Sequence, residues 1–526
     1  MLVSTPSASM TPPGPALSQL RDHLHETRLL GSISSALYYD QNTVMPARGA
    51  EWRGEQLGLL ATQIHRRQSD AHYVELLEAA EAEVAGGQHG PAPAPLRRNL
   101  SLLRLELERQ RRLDPGLVAA LAQAQSRGNA VWQEARSRSE FALFAPALSA
   151  LIALRRQQAD QLAAAEPLPR SRWEILAQPF EPGISKARLE ALFTPLRQQL
   201  PPLLARVAEA NRHNPSSIQG EPADLPEALQ EQLCAELLQS WGYDPERCQR
   251  SRSAHPFSCT LGPADFRITT RVVPGQPLSA FLATAHEWGH SLYEQGLPRS
   301  DDHYFPWPLG EATSMAVHES QSLFWECRIG RSEAFAGRWH GRFCQGLGAD
   351  PWGGRQGFWR ALNPLRPGLI RVEADELSYG LHIVLRYELE LALLEEDMPV
   401  EELPAAWNRR MQELLGLTPR RDAEGCLQDI HWAEGLFGYF PSYALGHLIS
   451  AQLAEQLEQD LGGCGSLEDC VAAGEEGRLR RWLGETVWPL GRSVDGEELV
   501  QRVSGHPLSS EPFLRYLRAK LERLLG

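Results

Sequence analysis

Residues 278–295 read LSAFLATAHEWGHSLYEQ, with apolar side chains recurring at helical spacing. The preceding Pro274-Gly275-Gln276-Pro277 is a turn, and Pro277 suits the first helical position. Gly296 and Pro298 stop the helix. On such a helix His286 and His290, four residues apart, project from one face within reach of a single Zn²⁺. Glu287 lies one step round the cylinder, beside that position, where hydrolysis needs a general base. Phe281, Leu282, Ala285, Trp288 and Leu292 flank the motif and predict a partly buried site. Two bare histidines in a core would have to be neutral and hydrogen-bonded, whereas a metal satisfies both. The H-E-W-G-H run therefore predicts a zinc hydrolase centre rather than a pair of core histidines.

Catalytic zinc usually keeps three protein ligands and one open position. The next helical stretch, GEATSMAVHESQSLFWECRIG (310–330), carries His318 and Glu319, with Glu311 and Glu326 on the same segment. Spacing alone leaves His318 and Glu319 near even as the third ligand.

The composition bounds the surroundings of this centre. The chain has 526 residues, 52 Lys plus Arg against 66 Asp plus Glu, and a formal net charge of −14. Hydrophobic and charged fractions of 42% and 22% are those of an ordinary soluble globular protein. The acidic balance weighs against a nucleic-acid partner, whose affinity rests on basic residues meeting phosphates. Lys186 and Lys520 are the only lysines, so nearly every positive charge is an arginine, which reads first as a compositional bias. The eight cysteines form no C-x-x-C pair, and a chain this long is no disulfide scaffold. Neither a secretory signal nor a membrane-length apolar run is visible, so a cytoplasmic setting is expected, with no membrane partner.

Helical periodicity dominates elsewhere. It runs from Leu17 to the region of Arg67 with a break at Asn42–Arg48, then continues over 96–165 as one long stretch. AGGQHGPAPAP (85–95) and the Pro/Asn/Ser-rich 213–226 read as loops. The exception is 255–273, HPFSCTLGPADFRITTRVV. Phe266, Ile268, Thr270 and Val272 alternate with Asp265, Arg267, Thr269 and Arg271, which predicts a small hairpin whose polar face could stand in solvent at an edge.

Beyond H-E-W-G-H and H-E-S-Q (318–321), three blocks stand out: D-F-R-I-T (265–269), I-R-V-E-A-D-E (370–376) and G-C-L-Q (425–428). Together with H-E-W-G-H and H-E-S-Q, and in their order along the chain, they resemble the carboxypeptidase Taq family of thermostable-type metallocarboxypeptidases. The similarity extends through YYDQNTVMPARGAEWRGEQ, EPGISKARLEALF (181–193) and GYFPSYALGHLISAQ (438–452), and so covers nearly the whole chain. The resemblance implies a mainly α, gluzincin-like fold: one large helical domain over 17–526 with a long groove and a small sheet by the metal site. Residues 1–16 are then a disordered tail. It further implies a homodimer that releases single residues from free peptide C-termini with broad specificity. His286, His290 and Glu319 are the implied metal ligands and Glu287 the implied base. Two departures are a loop (297–310) a few residues longer than the pattern, and Cys259 where Thr is expected.

In DELSYGLHIVLRYELELALLEE (375–396), Asp375, Tyr379, His382 and Arg386 form a polar stripe at helical spacing. His382 is the candidate oxyanion donor or acid. A free C-terminal carboxylate calls for a bidentate arginine, with Arg371 first and Arg267 second, unless Asp265 or Asp375 locks either one as a structural pair. Tyr439 and Tyr443, at a helix start marked by Pro441, are candidate phenolic donors to the substrate. Cobalt could replace zinc in such a site. The rival readings are an endo-acting oligopeptidase, which needs no carboxylate clamp, and a non-catalytic helical scaffold.

Overall fold

Turn chemistry, more than hydropathy, decides where the helices of this chain break. The protein is described by a computed structural model over residues 14–86, 94–164, 169–213, 225–273, 276, 278–299, 304–462 and 465–525. Helices α1 (Pro15–Thr43), α2 (Ala50–Ser69), α3 (Ala71–Ala85) and α4 (Ala94–Arg112) come first, and the expected break after α1 falls at Pro46 and a short 3-10 turn, Ala47–Gly49. Of the expected tail, residues 1–13 lie outside the described residues, and α1 already starts at Pro15. The expected loops fall largely on 87–93 and 214–224, also outside them.

The long helical stretch expected over 96–165 is made of three helices, α4, α5 (Pro115–Arg138) and α6 (Phe141–Ala163). Asp114 caps α5 by accepting from the Leu117 N–H at 3.0 Å, with Pro115 at the first position. Ser139, at φ 54°, ends it in the left-handed region. Apolar periodicity runs through both points and so hides them.

After α7 (Arg172–Ala177), α8 (Lys186–His213) and α9 (Glu227–Ser240) comes the sheet: β1 (Cys248–Arg252), β2 (Ser258–Gly262) and β3 (Asp265–Thr270), in the order β1-β3-β2. β3 runs antiparallel to β2 and parallel to β1, with Cys248 opposite Phe266. The expected hairpin is therefore part of a three-stranded sheet, and its second strand is central, not an edge in solvent. Thr269, assigned to the polar face, is fully buried, and its hydroxyl accepts from the Phe257 N–H at 2.9 Å. β1, Cys-Gln-Arg-Ser-Arg, carries no apolar alternation and escapes a pattern search.

The motif helix, α10 (Ser279–Gly296), begins two residues after the expected Pro277, which lies outside the described residues. The Thr270 hydroxyl donates to the Ala280 carbonyl at 3.1 Å and Thr284 Oγ1 donates to Thr270 Oγ1 at 3.2 Å, which bolts β3 to α10. The helix expected over 310–330 starts only at Met315: α11 (Met315–Leu323) is capped by Ser314, then passes into a π-helix, Phe324–Gly330. The chain continues through α12 (Glu333–Leu347), α13 (Arg355–Leu362), α14 (Glu376–Leu394), α15 (Leu403–Leu415) and α16 (Pro441–Leu461). It ends with α17 (Leu467–Ala473), α18 (Glu476–Thr486), α19 (Gly496–Ser504) and α20 (Glu511–Leu525).

A large apolar core joins α5 through α20 with the sheet, while Leu20, Tyr73, Leu77, Leu100 and Leu103 form a smaller cluster among α1, α3 and α4. The mainly helical fold with a small sheet against the motif helix is as expected. Among the described residues no helix is long and apolar enough to cross a membrane. The described cysteines are free thiols.

Candidate metal centre

Two glycines allow the helices that carry the site to approach closely. A Cβ on Gly289, inside H-E-W-G-H, would stand 2.7 Å from the Gln321 carbonyl oxygen and the Ser322 Cα on α11. One on Gly446 of α16 would stand 2.7 Å from Glu319 Cγ. With α10, α11 and α16 in near backbone contact, side chains distant in sequence share one point.

At that point His290 Nε2 lies 3.4 Å and His286 Nε2 3.8 Å from Glu319 Oε2, and a ligand atom from each residue falls within 4.8 Å of the others. Second partners aim the rings. His286 Nδ1 is 2.9 Å from Glu326 Oε2, and Arg331 Nη2 donates to Glu326 Oε1 at 2.7 Å. His290 Nδ1 faces His318 Nδ1 at 2.6 Å, and His318 Nε2 lies 3.0 Å from Glu294 Oε1. A carboxylate only accepts, so His318 donates to Glu294 through Nε2–H and accepts the His290 Nδ1–H. His290 Nε2 is then left as an acceptor without a proton, the tautomer a metal ligand requires. Between the two open candidates, it is Glu319 and not His318 that meets both Nε2 atoms.

The electrostatics favour a cation. Burial opposes charge on His286, but Glu319, Glu326 and Glu287 outweigh it and raise its pKa to about 10. Burial takes His290 down to about 4. Glu319 is held down at about 2 by His286 and His290 against the push of burial. A proton on His286 thus stands where a shared cation would neutralise the same carboxylates. Two imidazoles and a carboxylate suit a borderline divalent metal, so the residues fit the group.

The trio opens into a cavity of about 1030 Å³ whose walls include Glu287, Arg371, Tyr379, Tyr439, Tyr443 and His447. Glu287 is 7% exposed, and burial pushes its carboxyl up to about 7. Tyr439 precedes α16 and Tyr443 sits in its first turn, as Pro441 predicts. Arg371 Nε donates to Asp429 Oδ1 at 2.9 Å, Nη2 lies 2.8 Å from the same oxygen, and Nη1 donates to the Tyr379 hydroxyl at 3.0 Å. These contacts engage three of the five N–H donors of a guanidinium.

Two expectations are corrected. Arg267 does not line the cavity: Asp265 holds it in a two-bond fork at 2.7 and 2.8 Å, and it lies over the Tyr39 ring. His382 does not line it either; it is fully buried, with Nε2 3.1 Å from the Gly368 carbonyl oxygen. Burial lowers its pKa to about 3, which removes it as an acid near neutrality. The stripe on α14 turns inward after Tyr379, because Arg386 is held by Asp429 at 2.7 Å. Asp375 caps α14 by accepting from the Ser378 N–H at 2.7 Å and so locks neither arginine.

The residues that sequence reasoning passed over are mostly partners of partners. Asp429 follows directly on G-C-L-Q, and Gln428 of that block accepts from the Arg371 backbone N–H at 2.8 Å. The block thus positions I-R-V-E-A-D-E. Glu294, one turn beyond His290, was legible only as a helix carboxylate.

The comparisons with known proteins agree over the whole chain. A family profile described as carboxypeptidase Taq (M32) metallopeptidase matches residues 19–521. Thermostable carboxypeptidase 1 of Thermus thermophilus is 37% identical over 98% of this chain and 100% of its own length, and carboxypeptidase 1 of Bacillus subtilis is 34% identical over 93% and 94%. Among solved structures, the M32 carboxypeptidase from Deinococcus radiodurans R1 superposes with a TM-score of 0.89 at 32% identity, covering 98% of this chain and 100% of that one. Metallocarboxypeptidase 1 of Trypanosoma cruzi gives 0.90 at 32% identity, covering 96% and 99%. The chain belongs to the carboxypeptidase Taq (M32) family of metallopeptidases and is a metal-dependent carboxypeptidase.

Proposed function

We propose that His286, His290 and Glu319 hold the divalent cation, zinc or alternatively cobalt, and that Glu287 is the general base. The convergence of two Nε2 atoms and one carboxylate oxygen at the wall of the cavity carries this reading. When bound, such a cation supplies Lewis acidity, acidifying water and polarising the scissile carbonyl. Glu287 takes the proton of the attacking water on a carboxylate oxygen and delivers it to the leaving amine. The Tyr439 and Tyr443 hydroxyls, both at the cavity wall, supply donors for the developing oxyanion. Arg371, oriented by Asp429 and Tyr379, presents its remaining N–H groups to the terminal carboxylate, so cleavage falls one residue from the end and single amino acids are released. A wall that mixes Leu282, Leu323, Trp352 and Leu521 with polar groups supports broad specificity for the departing side chain.

A matched pair of peptides with free and amidated C-termini tests the reading. Losing a charge-assisted bond to Arg371 should lower kcat/KM on the amidated peptide by about 10- to 100-fold. Equal cleavage of the two points instead to the endo-acting oligopeptidase.

Assembly as a homodimer draws support from α1 and α2. Leu29, Ile33, Tyr38, Trp52 and Leu59 are exposed there, and α2 buries none of its own side chains, leaving an apolar face suited to a second copy. Light scattering on Trp52→Glu should report a shift toward monomer. Free thiols suit a reducing, cytoplasmic setting.

A further inference from the structure

Away from the catalytic cation site, a second set of metal-ligating atoms converges on one point. His340 and Cys344 lie four residues apart on α12, so they share a helix face. Asp350 returns to that face two residues past Gly348, which ends α12 at φ 67°. Cys344 Sγ is 3.3 Å from His340 Nε2, Asp350 Oδ1 is 3.1 Å from the same nitrogen, and all three ligand atoms lie within 4.8 Å of one another.

We propose that His340, Cys344 and Asp350 form a second, open three-ligand site for a divalent cation of the zinc class. One feature separates this arrangement from a proton relay. A Cys-His-Asp relay uses both ring nitrogens, one facing the thiol and the other the carboxylate. Here thiol and carboxylate meet the same nitrogen, Nε2, which is the geometry of donors around a common centre. The His340 ring lies 5.8 Å from the Phe358 ring and 6.3 Å from the Trp352 ring, centre to centre, so aromatic packing aims it. No Arg or Lys is ion-paired with Asp350 among the described residues; its Oδ1 meets His340 and accepts from the Trp352 backbone N–H at 3.1 Å, so no side-chain cation competes for it. A rival cluster, Cys327, Glu376 and His447, lacks that freedom, because the Lys520 ammonium already sits 2.8 Å from Glu376.

Sulfur, nitrogen and oxygen donors together select zinc or cobalt over magnesium or calcium. On binding, the Cys344 thiol loses its proton to solvent and the thiolate forms the bond, while His340 keeps its proton on Nδ1. Asp350 is exposed, so the fourth position opens to water or a small ligand. Occupancy ties to α12 the loop that bears Trp352, a wall of the catalytic cavity.

Metal-stripped, full-length protein titrated with Co²⁺ tests this without recourse to activity. The wild type should take up two equivalents per chain, and one of them should bring a thiolate-to-cobalt charge-transfer band, which the sulfur-free His286–His290–Glu319 set cannot produce. Cys344→Ser and His340→Ala should each lose the band and one equivalent and keep the other. Glu319→Gln should keep the band, so failure of the catalytic-site reading stays distinguishable from failure of this one. A wild type with no band, or a band that survives Cys344→Ser, overturns the proposal.

Discussion

Glu326 holds His286 Nδ1 at 2.9 Å, and Arg331 in turn holds Glu326, so the ring reaches the site with its other nitrogen free. Outer partners of this kind typically matter about 10- to 100-fold in metal affinity. Glu326→Gln should therefore weaken metal binding by roughly 10-fold, read by competition with a chelator. In the proposed reading Glu287 acts otherwise, meeting the proton and not the cation. Glu287→Gln should lower kcat by about 10²- to 10⁴-fold while metal content per chain stays unchanged. A variant that loses metal and rate together would make Glu287 part of the cation's cage instead. At this scale the motif histidines and Glu287 were legible, because one helix carries them at i, i+1 and i+4. Spacing alone did not separate Glu319 from His318, because neighbours on one helix differ only in which face they turn to α10; the family resemblance chose Glu319.

The elements meet where side chains are missing. Gly289 faces backbone atoms of α11 at distances that no rotamer change can relieve. Gly289→Ala should destabilise the fold by about 1–3 kcal/mol and lower activity with it, measured by denaturant unfolding beside peptide turnover. An unchanged midpoint would mean that α10 and α11 can part without cost. The polar stripe of α14 carries a related lesson. Its spacing was visible, but Tyr379 faces the cavity while His382 and Arg386 face the interior, and periodicity cannot tell a water-filled cavity from a buried ion pair.

Across the molecule, Asp429 joins α14 to the I-R-V-E-A-D-E segment by accepting from Arg371 and Arg386 at once. Burial alone would raise its carboxyl, but the two guanidiniums outweigh it and hold it well below the usual carboxylate range. A depressed folded pKa contributes stability that is present above the unfolded value of about 3.9 and is lost as pH falls below it. Asp429→Asn should cost about 3–5 kcal/mol near neutrality, since two buried guanidiniums lose their counter-charge, and should flatten stability against pH at the acid end. Thermal unfolding of both proteins across pH 2–7 (about the range over which carboxylates titrate) checks it. An acid limb as steep as in the parent protein would show that other carboxylates carry it. Apolar periodicity and one helical motif were enough to read a mainly helical metallohydrolase, because helix formation and the i, i+4 pair are local properties of the chain. The partners that aim each ring, the central place of β3 and the loss of Arg267 and His382 from the cavity came only with the tertiary structure. Those depend on which faces pack together, and close packing at Gly289 and Gly446 joins residues that no local spacing connects.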